Sequence, residues 1–287
     1  MELFRALAVL AEPPTPAVER VARTLELGPL PETSEYTQLF LFQLYPYASV
    51  YLGPEGMLGG EARDRIAGFW RALELVPPAE PDHLALMLAL YARLCELEEQ
   101  AGDDGARGLW SNARRAFLWE HLLSWLPFYL DKLKAIAPPF YQRWGELLAA
   151  ALFEEALRVE RPELLPLHLR EAARVLDPRE TTAEAFIQSL LSPVRSGVIL
   201  VRDDLKLAAR KMGLALRLGE RKFILTSLFG QDAQATLLWL AEEAAGWTNR
   251  HRRHRQTLGL ISLAWEERAS FTASLLEELG RAANEIV

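Results

Sequence analysis

The sequence places an acid and a histidine side by side, immediately before an apolar stretch. The run Glu80-Pro81-Asp82-His83 precedes residues 84–97, which are mostly apolar. A proline at the first helical position loses no hydrogen bond, because the N–H that it lacks would have no intrahelical partner. We therefore predict that Glu80 is the N-cap of a helix, with Asp82 and His83 in the first turn. There the helix dipole favours an acid and disfavours a charged histidine, so the pair would offer a carboxylate and a neutral imidazole.

The Asp82–His83 pair admits two kinds of chemistry. As a binding pair, Asp82 can accept two N–H groups of an arginine, and the neutral imidazole can accept a further hydrogen bond. As part of a metal site, the two would join Glu120 and His121 in a set of oxygen and nitrogen ligands. Adjacent residues on a helix point about 100° apart, so such pairs are awkward ligands and the pattern disfavours an enzyme. A structural interpretation stays open, in which Asp82 stabilises the helix start and His83 binds a nearby backbone group.

Three polar side chains follow Pro46, upstream of the acid–histidine pair. The backbone next to a proline is typically extended, and alternate side chains of an extended backbone point to the same side. Tyr47, Ser49 and Tyr51 would then face one way. Their hydroxyl groups would line a cleft or cap neighbouring helices, and the sequence favours neither alternative.

An aromatic stripe lies downstream of the pair. His121 and Trp125 are four residues apart, so a helix would place them on one face with Phe117 and Phe128. Such a stripe is usually part of a hydrophobic core. The functional alternative is that this face lines a groove for an apolar segment of a bound peptide, with Trp70 in the same wall or simply packed.

Apolar residues recur with a helical period along almost the whole chain, which predicts an all-α protein. Pro127 lies inside a helical stretch that begins near residue 109, so we expect a break near Trp125. The apolar segment Val198–Val201 is consistent with a lone short strand or with a buried helix start. Helices are predicted for four later stretches: residues 203–217, 220–229, 232–250 and 257–285.

The composition is that of an ordinary globular protein. Half of the 287 residues are hydrophobic and a quarter are charged. Cys95 is the only cysteine, which excludes an internal disulfide and a site built from several cysteines. The first residues lack the basic segment of a signal peptide, and no apolar run reaches the about 18 residues that a membrane span needs. We therefore expect a cytoplasmic protein without stable membrane insertion.

The net charge of −7 is unevenly distributed. Residues 1–191 contain 18 basic and 28 acidic residues, whereas residues 192–287 contain 14 basic and 11 acidic residues. The larger, acidic part should repel phosphate backbones and attract basic segments. This distribution is informative about binding partners.

An arginine run is the most conspicuous feature of the basic part. Arg250, Arg252, Arg253 and Arg255 alternate with two histidines, a pattern typical of a solvated helix end. The functional alternatives are an acidic face of a partner, an intramolecular contact with the acidic part of the chain, and a phosphate. The overall acidity and the lack of interleaved aromatic residues disfavour nucleic-acid binding.

The order and spacing of several motifs resemble those of the TorD/DmsD/NarJ family of redox-enzyme maturation chaperones, and of its TorD-like branch in particular. The resemblance covers about residues 1–191. The motifs are Tyr36-x-x-Leu39-Phe40, Pro46-Tyr47-x-Ser49-Val50-Tyr51, Glu80-Pro81-Asp82-His83 and Phe117-x-x-x-His121-Leu122-x-x-Trp125.

The resemblance implies a TorD-like helical bundle and a cytoplasmic chaperone, with no catalytic residue, metal or cofactor of its own. Such proteins bind the twin-arginine signal peptide, and sometimes the body, of a molybdopterin-containing oxidoreductase, and they assist cofactor insertion before export. Some members bind guanine nucleotides weakly, and both monomers and homodimers are consistent with the family. The implied peptide-binding cleft would use Glu80, Pro81, Asp82, His83, Tyr47, Ser49, Tyr51, His121, Trp125 and Trp70.

We therefore predict a chaperone domain over residues 1–191 and a helical C-terminal extension of unknown role over residues 192–287. Two other functions stay open. One is a helical scaffold or regulator that uses the arginine-rich C-terminal region. The other, less favoured, is a metal-dependent enzyme built on Asp82, His83 and His121.

Overall fold

A computed structural model describes residues 2–285, with side chains described as far as residue 282. Seventeen α-helices account for most of this part of the chain, and its only β-type pairing is an isolated bridge between Tyr47 and His83. The predicted all-α fold is therefore confirmed. Within the described residues, no helix combines the length and the apolar composition that a membrane crossing requires.

The chain folds into two compact units that do not follow its order. The first unit comprises Met1–Ser49 and Leu58–Pro166, and the second comprises Val50–Met57 and Leu167–Val287. The units therefore do not divide at residue 191, and residues 167–191 belong to the second. The predicted functional boundary at residue 191 stays a prediction, since compactness and function need not coincide.

The first unit is a bundle in which α6 is the central helix. α6 is buried on several sides, packs against α1 and α7, and carries Met87, Leu88 and Tyr91 into the core. The helices of this part of the chain are α1 (Glu2–Val9), α2 (Glu19–Thr24), α3 (Thr33–Tyr36), α4 (Ala48–Leu52), α5 (Gly60–Ala72), α6 (Leu84–Glu99), α7 (Asp104–Ala116), α8 (Leu126–Ile136) and α9 (Pro139–Arg158). α4 begins in the first unit and ends in the second.

The predicted break near Trp125 is confirmed. A π-helical turn, Phe117–Leu122, continues α7, and Trp125 is the N-cap of α8. Pro127 is then the second residue of α8, where a missing N–H costs no hydrogen bond. The proline therefore starts a helix rather than kinking one.

The second unit is dominated by a pair of long helices, α15 and α17, that pack along one another. Its helices are α10 (Leu167–Glu171), α11 (Ala183–Leu190), α12 (Pro193–Ser196), α13 (Arg202–Met212), α14 (Arg221–Gln231), α15 (Ala233–Arg253), α16 (Arg255–Leu258) and α17 (Leu260–Glu285). Val198–Val201 is neither of the predicted alternatives, because it is a buried irregular segment that ends at the N-cap of α13.

Gly197, the C-cap of α12, lies against the backbone of α17. It follows α12 in the left-handed conformation, with φ of +70°. A Cβ atom there would lie 2.8 Å from the Trp265 carbonyl oxygen and would also collide with the Ala269 amide. Only glycine satisfies both constraints.

We expect Gly197→Ala to destabilise the second unit more than a matched substitution. Gly213 has nearly the same φ, +69°, but a Cβ there would have no neighbour within 4 Å. Gly213→Ala should therefore cost only the backbone strain, about 1 kcal/mol. Gly197→Ala should cost about 2 kcal/mol more, because backbone atoms must move. Urea unfolding of both variants measures this difference, and equal losses would contradict the packing argument.

Candidate functional site

Two segments far apart in the chain meet at the Tyr47–His83 bridge. The Leu84 N–H donates to the Pro46 carbonyl oxygen at 2.8 Å, and the Ala48 N–H donates to the Asp82 carbonyl oxygen at 3.0 Å. The predicted extended chain after Pro46 is limited to this bridge, because α4 begins at Ala48. The prediction that Tyr47, Ser49 and Tyr51 point to one side as alternate residues of an extended chain is therefore wrong.

Tyr47 connects the bridge to the surface. Its hydroxyl group donates to the Glu80 carboxylate at 2.8 Å, and its ring lies edge-on to the His83 ring with 4.8 Å between centroids. Burial raises the pKa of Tyr47, and the hydrogen bond to Glu80 raises it further. Tyr47 is half-buried whereas Glu80 is exposed, so this pair lies at the edge of the site.

Asp82 points into the protein. Its side chain is buried, and its carboxylate accepts the Ser49 N–H at 3.1 Å, near the start of α4. The prediction that Asp82 lies in the first turn of the following helix is therefore wrong, because α6 begins only at Leu84. Asp82 stabilises the start of a different helix.

His83, and not Glu80, is the N-cap of α6. Its Nδ1 atom accepts the Ala85 N–H at 3.3 Å. Burial lowers the pKa of His83, although the charges of Glu12, Glu80 and Asp82 oppose this shift. The imidazole is therefore neutral, as predicted, but its Nδ1 lone pair binds the helix backbone, as the structural interpretation predicted.

Glu12 is a neighbour of His83 that sequence reasoning did not select. Its carboxylate lies 3.5 Å from the His83 Nδ1 atom, and its side chain is 50% exposed. It follows α1, far from His83 in the chain, and carries no motif. We call the surface formed by Glu12, Tyr47, Glu80 and His83 the acidic ledge.

Tyr36 lies behind the acidic ledge. Its hydroxyl group donates to the Ala11 carbonyl oxygen at 3.4 Å, next to Glu12. Burial raises the pKa of Tyr36 to about 12, and the charges of Glu12 and Glu80 contribute. The negative potential of the ledge therefore reaches groups that do not touch it.

His121 lies in an aromatic cluster. Its ring centroid lies 5.2 Å from that of Phe69 and 5.4 Å from that of Phe117. The side chain is buried, and burial, with a contribution from the charge of Arg65, lowers the pKa of His121 to about 3. His121 is therefore neutral and is enclosed by apolar groups.

Trp125 contacts His121 through the backbone. Its indole N–H donates to the His121 carbonyl oxygen at 2.8 Å, and its ring packs edge-on against Tyr129. The predicted common helix face is wrong for Trp125, because the π-helical turn ends at Leu122. Trp125 is fully buried, whereas Trp70 on α5 is partly exposed.

The remaining predicted site residues are not part of the acidic ledge. Pro81 is buried beside Asp82, and Ser49 is buried at the start of α4. Tyr51 is buried as well, but it belongs to the second unit. Among the described residues, no group of three or more histidine, cysteine or acidic side chains is arranged to hold a metal ion.

Part of the arginine run is neutralised inside the second unit. Arg252 and Arg255 both bind the carboxylate of Glu266 on α17, at 2.9 and 2.6 Å. Arg250 stacks over the ring of Trp247, with 4.8 Å between its guanidinium carbon and the ring centroid. Glu266 lies outside residues 1–191, so these contacts are not the predicted contact with the acidic part of the chain.

Comparison with known proteins shows what the first part of the chain is similar to. Residues 11–130 match the family model described as nitrate reductase delta subunit. The chain is also 31% identical over 139 residues to the chaperone protein TorD of Pasteurella multocida, a match that covers 45% of this chain and 65% of that protein. The predicted resemblance to the TorD/NarJ family is confirmed by these matches.

Two further relatives extend the comparison. The chaperone protein TorD of Vibrio vulnificus is 31% identical over 125 residues, with 40% of this chain and 55% of the relative covered. The chaperone protein TorD of Shewanella pealeana is 28% identical over 130 residues, with 40% and 54% covered. The chain thus spans between about half and two thirds of the length of the curated relatives that it matches.

Replacement of His83 should reveal its capping role. We expect His83→Ala to destabilise the first unit by about 1 kcal/mol, because the Ala85 N–H loses its acceptor. Asparagine is a good N-cap residue, so His83→Asn should recover most of the loss that is due to the cap. Urea unfolding at neutral pH measures both, and equal stability of the two variants would argue against the cap.

His121 should make the first unit sensitive to acid. Because its pKa lies near 6.5 in the unfolded chain and near 3 in the folded protein, only the unfolded chain takes up a proton as the pH falls through this window. Stability should thus fall by about 2 kcal/mol between pH 7 and pH 5. In urea titrations His121→Leu should remove the part of the fall that is due to His121 and leave the part that is due to His83, whereas His254→Gln in the second unit should keep the whole fall. If the stability of His121→Leu falls as much as that of the wild-type protein, the assignment of the acid sensitivity to His121 is contradicted.

Proposed function

We propose that the protein is a chaperone that binds an arginine-bearing segment of a molybdopterin-containing oxidoreductase, such as its twin-arginine signal peptide. The observation that carries the proposal is the acidic ledge, which lies within the residues that match the nitrate reductase delta subunit model. The curated relatives are named chaperones, which supports a binding function.

The chemistry of the acidic ledge suits a guanidinium group. Glu12 and Glu80 are exposed carboxylates that flank a tyrosine and a neutral histidine. An arginine side chain combines charged hydrogen bonds to carboxylates with stacking on an aromatic ring, which a lysine reproduces less well. A ligand with adjacent arginines would therefore bind better than one with adjacent lysines.

The apolar part of such a ligand has a surface nearby in the chain. Leu75 and Val76 are exposed, at 39% and 89%, between α5 and Glu80. Four residues of extended chain span about 14 Å, so Val76 lies within this distance of Glu80. In this proposal the partly exposed Trp70 contributes to the same apolar surface.

The buried residues of the predicted cleft act as supports in this proposal. Asp82 and Ser49 hold the bridge in place, and Pro81 fixes the turn that presents Glu80. His121 and Trp125 hold the π-helical turn between α7 and α8. Direct contact with a peptide is thus assigned to exposed groups.

The wider biology follows as part of the same proposal. The protein would act in the cytoplasm, as a monomer or a homodimer, would assist cofactor insertion, and would delay export of a client that carries a leader. It would use no catalytic residue, metal or cofactor of its own, and weak guanine nucleotide binding is a family expectation. The arginines at positions 250, 252, 253 and 255 would contact the body of the client from the second unit, where the buried Tyr51 would act as a support.

Binding of a synthetic peptide tests the proposal. We expect a peptide with two adjacent arginines and an apolar tail to bind, and to bind more weakly when lysines or glutamines replace the arginines. Glu12→Gln and Glu80→Gln should each weaken binding about threefold to fivefold, as expected for exposed ion pairs. Fluorescence anisotropy at low and high salt measures this, and affinity should fall as salt screens the charges.

A matched variant controls for the loss of charge. Glu163→Gln removes an exposed carboxylate elsewhere in the first unit and should leave the affinity unchanged. Equal affinities for the arginine and glutamine peptides, or equal effects of all three variants, would overturn the assignment of the acidic ledge.

A further inference from the structure

A short N-terminal segment of the chain belongs to the second unit. Val50–Met57, which we call the strap, lies between Ser49 and Leu58, and both of these residues belong to the first unit. Within the second unit the strap accepts hydrogen bonds on three of its carbonyl groups. Ser192 donates to the Gly53 carbonyl oxygen at 3.2 Å, Gln188 donates to that of Glu55 at 2.6 Å, and Arg221 donates to that of Gly56 at 3.5 Å.

The strap fits the second unit in a single register. Gly56 has φ of +62°, and a Cβ atom there would lie 2.8 Å from both the Leu191 carbonyl oxygen and the Ser192 Cα atom. Because these are backbone atoms of the turn between α11 and α12, they cannot move aside like a flexible side chain. A shift of the strap by one residue would therefore place a side chain where there is no space.

The two ends of the strap are held by one residue of the first unit. The Ser49 hydroxyl oxygen accepts the Gly59 N–H at 3.1 Å, which joins the entry of the strap to its exit. The Ser49 N–H in turn donates to the buried carboxylate of Asp82. Asp82 lies between Glu80 and His83, so the residue that anchors the strap is part of the loop that forms the acidic ledge.

We propose that Asp82 is a positioning residue that couples peptide binding at the acidic ledge to the order of the strap. The inference rests on the proposed function and extends it to regulation. A ligand that binds the exposed Glu80 restricts the loop that carries Asp82, and hence the Asp82–Ser49 hydrogen bond. The effect reaches the strap along the covalent chain, through Ser49 and Gly59.

The coupling has to be reciprocal. If ligand binding favours the ordered strap by a certain factor, loosening the strap from the second unit must weaken ligand binding by that same factor. A role for Asp82 that is limited to the start of α4 makes no such prediction. Reciprocity therefore distinguishes coupling from simple stabilisation.

Hydrogen exchange measured by mass spectrometry tests the first half of the inference. In the full-length protein, a saturating arginine peptide should slow exchange in residues 50–57 about fivefold or more. Asp82→Ala should abolish this slowing. Asp82→Asn should retain it, because an amide oxygen can still accept the Ser49 N–H.

A pair of glutamine variants in the second unit tests reciprocity. Gln188→Ala removes a hydrogen bond to the strap and should weaken peptide binding about threefold or more. Gln231→Ala is the matched control, because Gln231 binds the backbone of Ala215 instead, at 2.8 and 2.9 Å, and should leave the affinity unchanged. This arm does not depend on the folding of the Asp82 variants.

The outcomes separate the inference from the proposed function. If the wild-type protein binds the peptide while exchange of residues 50–57 stays unchanged, or if Gln188→Ala and Gln231→Ala bind equally well, the coupling is overturned and the binding function stands. If the wild-type protein does not bind the arginine peptide, both the proposed function and the coupling are overturned. Slowed exchange together with selective weakening by Gln188→Ala supports both.

Discussion

The backbone bridge between Pro46–Ala48 and Asp82–Leu84 is the interaction on which the geometry of the site depends. Buried amide and carbonyl groups have to find hydrogen-bond partners, and here two segments satisfy each other. Because α4 and α6 both begin at the bridge, the residues before α6 cannot continue its helix. Asp82 then turns inward to Ser49, and Glu80 is left outside.

Burial divides the polar residues of both units into two groups. A buried polar group without a partner is costly, so the buried side chains of Asp82 and His83 bind backbone N–H groups within the protein. The carboxylates of Glu12 and Glu80 stay at the surface, where water and ligands can reach them. In the second unit the same rule pairs Arg252 with Glu266, so the arginine run offers less free charge than its composition suggests.

Features that depend on neighbouring residues were predicted well. The helical period of the apolar residues and the break near Trp125 both follow from local chemistry. Predictions failed where a distant segment intervened. The N-cap of α6 moved from Glu80 to His83, because the bridge occupies the residues that would have formed an earlier turn. The alternation after Pro46 was replaced by α4 for the same reason.

The sequence by itself determined the all-α class and the resemblance of its first part to the TorD/NarJ family, because helical periodicity and ordered motifs are properties of the chain. It also determined the acidity that favours a basic ligand. Only the tertiary structure decided which polar residues are exposed, since burial depends on the segments that pack together. It brought Glu12 to His83, assigned Asp82 to an internal contact, and placed Val50–Met57 in a different unit from the residues on either side. These outcomes rest on contacts between residues far apart in the chain, which no local pattern encodes.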